Sequence, residues 1–180
     1  MSASSDAPRV VVLVGLMGSG KSSVGRRLAA GLSVDFFDTD EIVAKTTGRT
    51  VRELFAEGEE VFRRHERAAL LEALERAAAS SGVVATGGGV VTREDNIADI
   101  ARLATSVVWL DADVEELVAR TAHGSHRPLL DGDARGKLNE MRDSRNDLYA
   151  AASTLRVETK GRTIAQIADE IRRAVMGRVS

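Results

Sequence analysis

Two short stretches hold the residue types that could do chemistry. The first is "GLMGSGKSS" (15–23). Its first eight residues, Gly15-Leu16-Met17-Gly18-Ser19-Gly20-Lys21-Ser22, match G-x-x-x-x-G-K-[ST] in full. Glycines let such a backbone curl until its N–H groups point into one cavity, and a helix that follows adds its positive N-terminal end. In this arrangement Lys21 reaches the β- and γ-phosphates of a nucleotide, and Ser22 offers a hydroxyl to Mg²⁺. A glycine turn that binds nothing is the plainer alternative. It is disfavoured because a β-branched run precedes the motif and a helical pattern follows it.

The second stretch is "DFFDTDE" (35–41), where Asp38 and Asp40 close an apolar run with one Thr between them. A Mg²⁺ ion beside the loop serine needs a carboxylate, directly or through water. In many phosphate-loop ATPases that acid ends the strand next to the first one. Here the corresponding place reads "TGGG" (86–89), with no acid, so Asp38 becomes the metal-side choice. Residues i and i+2 of an extended chain point the same way. Both acids would then face a cleft at the carboxyl ends of the strands, where open α/β sheets bind ligands. One acid near Mg²⁺ and one near a hydroxyl suit phosphoryl transfer to an alcohol, with Asp40 accepting or orienting the hydroxyl proton. The residues alone leave a duller pairing open, with Asp40 a helix cap and Asp38 a solvated strand end.

Alternating strands and helices must position these groups. "RVVVLVG" (9–15) reads as a strand buried on both faces, and 20–32 as a helix with Val24, Leu28 and Leu32 on one side. A strand at 33–38 is followed by helices at 39–46, capped by Thr39 or an Asp, at 50–58, and at 59–80. Val61, Phe62, His65, Ala69, Leu70 and Leu74 mark the buried side of the last of these. A third strand, broken by the glycine triplet, is expected over 82–91, a fourth over 106–113 and a fifth over 154–159. Helices are expected over 94–103, 114–121, 137–152 and 163–176, with a loop over 122–136. This order implies a parallel sheet covered on both faces.

Composition narrows the class. The chain has 180 residues, 43% hydrophobic and 29% charged, enough for one domain with a substantial core. Aromatic residues are only 3%, so the core must rest on aliphatic side chains. A net charge of −2, with no long basic stripe interleaved with aromatics, argues against a nucleic-acid partner. The absence of cysteine excludes disulfides and thiolate metal sites, and suits a cytoplasmic location. Residues 1–8, "MSASSDAP", read as a short loose tail rather than a signal peptide, leaving 9–180 as one domain. No apolar run approaches the roughly 18 residues of a membrane-spanning helix, so no membrane partner is expected. His123 and His126, without cysteines or clustered acids near them, read as solvated loop residues.

Taken together, "GLMGSGKSS", "FFDTDE", "EEVFRRHE", "GGG", "RPLL" and "RNDLY" resemble the shikimate kinase family, in its order and spacing from about residue 10 to 175. The resemblance implies a three-layer P-loop kinase fold like that of nucleoside-monophosphate kinases, with a five-stranded parallel sheet of order 2-3-1-4-5. It implies transfer of the γ-phosphoryl group of ATP, with Mg²⁺, to the 3-hydroxyl of shikimate in the pathway to aromatic amino acids. It casts Gly18, Ser19, Gly20, Lys21, Ser22 and Ser23 as ATP-binding, Lys21 as catalytic, Ser22 and Asp38 as metal-side residues, and Asp40 as the acceptor-binding base. Arg63 and Arg145 would grip the acceptor carboxylate, and Gly87, Gly88 and Gly89 would let the acceptor approach the backbone. Arg127 would close over the phosphates from a lid at about 122–134, opposite an acceptor segment at about 39–67. Arg120 and Arg162 would flank the adenine, although Thr163-Ile164 stands where the family often has proline. The expected partners are ATP and shikimate, and the expected state is a monomer.

Physical chemistry agrees with these roles. A planar guanidinium matches a carboxylate bidentately, glycine lets a ring lie against backbone, and a lid arginine neutralises charge while excluding water. Plainer readings stand beside them. Arg63 can pair with Glu59 or Glu66 on its own helix, and Arg145 and Arg127 can be solvated charges. The alternative enzyme is a kinase of another small hydroxy acid such as gluconate. The alternative from another class is a nucleotide-binding module that drives a partner, which the "TGGG" strand end disfavours.

Overall fold

A computed structural model of the chain describes residues 9–121 and 132–177. Strand β1 (Val10–Val14) is the middle of the sheet, and its five side chains are 0–1% exposed. Burying each such aliphatic side chain stabilises the fold by about 1.5–3 kcal/mol. After β1 come α1 (Lys21–Leu32), β2 (Asp35–Asp38), α2 (Thr39–Thr47), α3 (Val51–Glu57) and α4 (Glu59–Ser80). Strand β3 (Gly82–Ala85) leads through a 3₁₀ turn (Val90–Thr92) to α5 (Glu94–Leu103), β4 (Ser106–Asp111) and α6 (Val114–Thr121). Helix α7 (Ala134–Ala152), β5 (Leu155–Glu158) and α8 (Ile164–Met176) complete it.

The five strands are all parallel, in the order β2-β3-β1-β4-β5. That is the order the family resemblance implies. Alternation along β1 divides the core. Val10, Val12 and Val14 pack with Leu70 and Leu74 of α4, Ile100 of α5, and Leu138 and Tyr149 of α7. Val11 and Leu13 pack with Val24 and Leu28 of α1 and with Ile167 and Ile171 of α8. A smaller cluster of Val43, Leu54, Phe62 and Ala69 ties α2 and α3 to α4. With these helices on both faces, all the strand carboxyl ends open on one side.

Four details differ from the sequence reading. The strand expected over 82–91 stops at Ala85. Beyond it the N–H and hydroxyl of Thr86 both donate to the Leu13 carbonyl, and the Val90 N–H donates to the Gly87 carbonyl, closing a turn. The loop expected to 136 gives way to α7 at Ala134, because the Asp133 side chain accepts from the Gly136 N–H and caps the helix. The cap of α2 is Asp38, not Thr39 or Asp40, so Asp38 is extended while Asp40 lies in a helical turn, and the two do not share one extended stretch. Of the residues assigned to the buried side of α4, Val61 and His65 are only half-buried. His123, His126, Arg127 and residues 122–131 of the expected lid lie outside the described residues.

Candidate active site

The phosphate loop joins β1 to α1. Gly20 sits at the N-cap of α1 with φ 96°, a left-handed conformation in which a side chain would be strained. No side chain caps this helix, so its first N–H groups are left facing the cavity. Lys21 is buried, and its Nζ donates to the carbonyls of Gly15 at 2.7 Å and Leu16 at 2.9 Å. The ammonium is thus held at the loop.

Asp38 ends β2 and serves two neighbours. One oxygen accepts from the N–H groups of Asp40 at 3.0 Å and Glu41 at 3.4 Å, capping α2. The other accepts from Ser22 Oγ at 2.6 Å. The carboxylate is 8% exposed, so it is not a solvated strand end. Asp40 lies in the first turn of α2 and is exposed to the cavity. Both acids do face one cleft, but the turn into the helix arranges this, not an extended chain.

Arg63 and Glu66 form a buried pair on α4, NH1 to Oε2 at 2.7 Å, with side-chain exposures of 8% and 2%. Glu59 takes a second edge of the same guanidinium at 3.1 Å. Burial opposes the charge on Arg63, but the two glutamates outweigh it and its pKa lies above the ordinary arginine value. The ion-pair reading of Arg63 therefore holds, and the arginine still lines the cavity. The rings of Phe55 and Phe62, stacked 4.5 Å apart, lie beneath its guanidinium.

The glycine triplet fits between these groups. A Cβ on Gly87 would collide with Glu66 Oε1, and one on Gly89 with the Arg63 guanidinium. A Cβ on Gly88 would sit 3.1 Å from the Met17 backbone nitrogen. Arg145, on α7, donates to the Gly88 carbonyl at 3.3 Å and is half-buried. Every residue singled out from the sequence as a site residue, Arg127 apart, lines one cavity of about 930 Å³.

At the other end of that cavity, Arg120 donates to the Gly18 carbonyl at 3.4 Å and pairs with Glu116 at 3.5 Å. Glu116 also accepts from the Thr159 hydroxyl at 3.2 Å and the Gly161 N–H at 3.1 Å. Arg162 is tied to Glu170 at 2.5 Å and to the Glu158 carbonyl at 3.1 Å. In place of a proline, Thr163 caps α8 in a reciprocal box with Gln166. Ile164, 46% exposed, turns toward the cavity.

Sequence reasoning gave no site role to Glu66, Glu116 or Tyr149. Glu66 was readable only as an ion-pair partner three residues from Arg63. Nothing local marks Tyr149 beyond its place in "RNDLY", because its partner is 61 residues away.

The comparisons with known proteins agree with this geometry. Residues 17–176 match the family described as shikimate kinase. A shikimate kinase of Symbiobacterium thermophilum is 46% identical over 166 residues, covering 89% of this chain and 92% of that one. The structure of a shikimate kinase from Acinetobacter baumannii in complex with shikimate superposes with a TM-score of 0.90 at 33% identity. It covers 95% of this chain and 94% of that chain. A gluconokinase from Sinorhizobium meliloti, at 19% identity and a TM-score of 0.64 over 96% and 94% of the two chains, shares the fold alone. With a family match across most of its length and a relative at 46% identity, this chain belongs to the shikimate kinase family.

Proposed function

We infer that this chain transfers the γ-phosphoryl group of ATP to the 3-hydroxyl of shikimate, giving shikimate 3-phosphate and ADP. The observation that carries the reading is one cavity with the phosphate loop at one side and Asp40, Arg63, Arg145 and the glycine triplet at the other. In-line transfer needs donor and acceptor in a single water-poor space, and most of the catalysis is positioning and charge stabilisation.

The chain's own residues divide the work. The N-terminal N–H groups of α1 and Lys21 hold the β- and γ-phosphates, and Lys21 exchanges its two carbonyl partners for phosphate oxygens. Arg63 and Arg145 take the acceptor carboxylate, the first pre-oriented by Glu66 and Glu59. Asp40 accepts the proton of the attacking hydroxyl. Arg120 and Arg162 flank the adenine, with Ile164 beside them on the cavity wall. We place the closing lid at about 122–134, with Arg127 over the transferring group.

Ser22 and Asp38 would hold Mg²⁺. They are oxygen donors already in contact, and the described residues contain no cluster of three acidic or histidine ligands. That suits an ion which takes one or two carboxylates and fills its shell with water and substrate phosphates. When bound, Mg²⁺ neutralises charge on the β- and γ-phosphates. Among the described residues no helix is long and apolar enough to cross a membrane.

The test is ADP release from ATP and Mg²⁺ with shikimate, with gluconate, and with neither. Release that depends on shikimate supports the reading. Dependence on gluconate overturns the acceptor assignment but leaves the phosphate loop. No response to either acceptor, with ATP still bound, favours a nucleotide-binding module.

A further inference from the structure

Tyr149 is the sole tyrosine of the chain and is wholly buried. Its ring stacks on Trp109 of β4 with centroids 5.8 Å apart. Its hydroxyl donates to the Gly88 carbonyl at 2.5 Å. Arg145, one turn earlier on α7, donates to the same oxygen at 3.3 Å. A carbonyl has two lone pairs and accommodates both donors, but the shorter bond is the tyrosine's.

That carbonyl sits at a junction. Gly88 backs onto the phosphate loop at Met17, Gly87 abuts Glu66 and Asp40, and Gly89 abuts Arg63. The Gly87 N–H is held by Thr39 Oγ1 at 3.1 Å. The far side of the turn is held by α7, through Tyr149. Movement of this turn therefore disturbs the acceptor groups together. Arg145 has a competing demand, because a guanidinium spent on a backbone carbonyl has fewer N–H groups for a carboxylate.

We propose that Tyr149 is a positioning residue for the acceptor site: its hydroxyl shares the Gly88 carbonyl with Arg145 and fixes the glycine turn against which Arg63, Glu66 and Asp40 stand. Without that hydroxyl, Arg145 is the remaining side-chain donor to the carbonyl among the described residues, and holding the turn competes more strongly with binding the acceptor carboxylate. A phenol keeps its proton at neutral pH, so the group is a donor there, and burial raises its pKa further, to about 12. The inference rests on the reading that Arg145 binds the acceptor carboxylate.

The test compares wild type, Tyr149→Phe, Arg145→Lys and the double variant by steady-state kinetics. For Tyr149→Phe the expected result is a shikimate KM raised roughly tenfold, with the ATP KM and kcat within about twofold of wild type. On the Arg145→Lys background the same change adds less than it does alone. An unchanged shikimate KM, an equal rise in both KM values, or full additivity with Arg145→Lys overturns the proposal. If Tyr149→Phe does not fold, 3-fluorotyrosine incorporated into the otherwise wild-type chain labels this one position. A fluorine resonance that moves with shikimate more than with ADP supports the proposal, and one that does not overturns it. Wild type that releases no ADP in response to shikimate overturns the acceptor reading and this proposal together. Normal wild-type turnover with an unaltered Tyr149→Phe overturns this proposal alone.

Discussion

Ser22 Oγ donates a 2.6 Å hydrogen bond to Asp38 Oδ2, joining the first turn of α1 to the end of β2. The other oxygen of Asp38 caps α2. One carboxylate thus ties the phosphate-loop serine to the helix that carries Asp40, and it is the proposed metal-side acid.

These two duties separate by substitution. Asp38→Ala loses both, and the lost cap costs about 1–2 kcal/mol of stability. Asp38→Asn keeps an oxygen for the cap but not the charge, so it melts closer to wild type. Both variants should need about tenfold more Mg²⁺ for half-maximal ADP release, in line with the 10–100-fold cost of disturbing metal-site residues. Thermal melts and Mg²⁺ titrations check this. A wild-type Mg²⁺ requirement in Asp38→Asn would remove Asp38 from the metal side.

Asp40 tests the chemistry more directly. Asp40→Asn removes the proposed proton acceptor while keeping the size of the side chain. The expected fall in kcat is about 10²–10⁴-fold, with ATP affinity little changed. Single-turnover kinetics alongside nucleotide titration separates the two. Near-normal turnover would assign the proton elsewhere.

The buried pair on α4 predicts a stability effect. Glu66→Ala leaves the Arg63 charge with only the exposed Glu59, whose side chain is 63% exposed. Breaking a buried pair from one side costs about 3–5 kcal/mol, and the partial rescue by Glu59 places the expectation near the lower end. Denaturant unfolding measures it, and a loss under about 1 kcal/mol would mean the pair is effectively solvated.

Gly89 offers a substitution that leaves all charges intact. A Cβ there meets the guanidinium of Arg63. Gly89→Ala should therefore raise the shikimate KM at least fivefold and leave the ATP KM alone, by displacing Arg63 rather than removing it. Parallel KM measurements for both substrates decide it, and an equal change in both would point to a general disturbance of the turn.

Tyr149 predicts an alkaline limit to stability. Its pKa rises from 10.0 to about 12, chiefly because burial disfavours the phenolate. The folded state then holds a proton that the unfolded chain has lost, so this contribution is complete below pH 10 and disappears by about pH 12. Two pKa units correspond to about 3 kcal/mol. Tyrosinate absorbance reports this residue alone, since the chain has one tyrosine. Wild type should lose more stability than Tyr149→Phe between pH 10 and 12. Parallel losses, or an absorbance midpoint near 10 in the folded protein, would contradict the buried donor.

Local physics explains why much of the fold was legible in the residue order. The valines of β1 carry their burial in their own composition, and "GLMGSGKSS" carries its curl and its cation within nine residues. Strand and helix patterns alternate clearly, because each element must present an apolar face to one shared sheet. The misreadings fell where a few local hydrogen bonds outweigh periodicity. Asp133 starts α7 in a segment without apolar spacing. Asp38 ends β2 and caps α2 at once, so Asp40 reaches the cleft from a helical turn and not from an extended chain. The glycine triplet ends β3 because the backbone closes on itself at Gly87 and Val90.

Residue types and short spacings thus settle what this chain can offer: a phosphate-loop motif, two neighbouring acids, and a parallel sheet to carry them. Folding alone settles which atoms meet. Asp38 finds Ser22 across 16 residues, Arg145 finds the Gly88 carbonyl across 57, and Tyr149 finds it across 61. Those contacts depend on strand order and helix docking, which bring distant backbone within hydrogen-bonding range. Whether Arg63 is a solvated charge or a buried fork is decided the same way, by Phe55, Phe62 and the glycine turn closing around it. No residue's neighbours in sequence contain that information, because desolvation is a property of the packed interior.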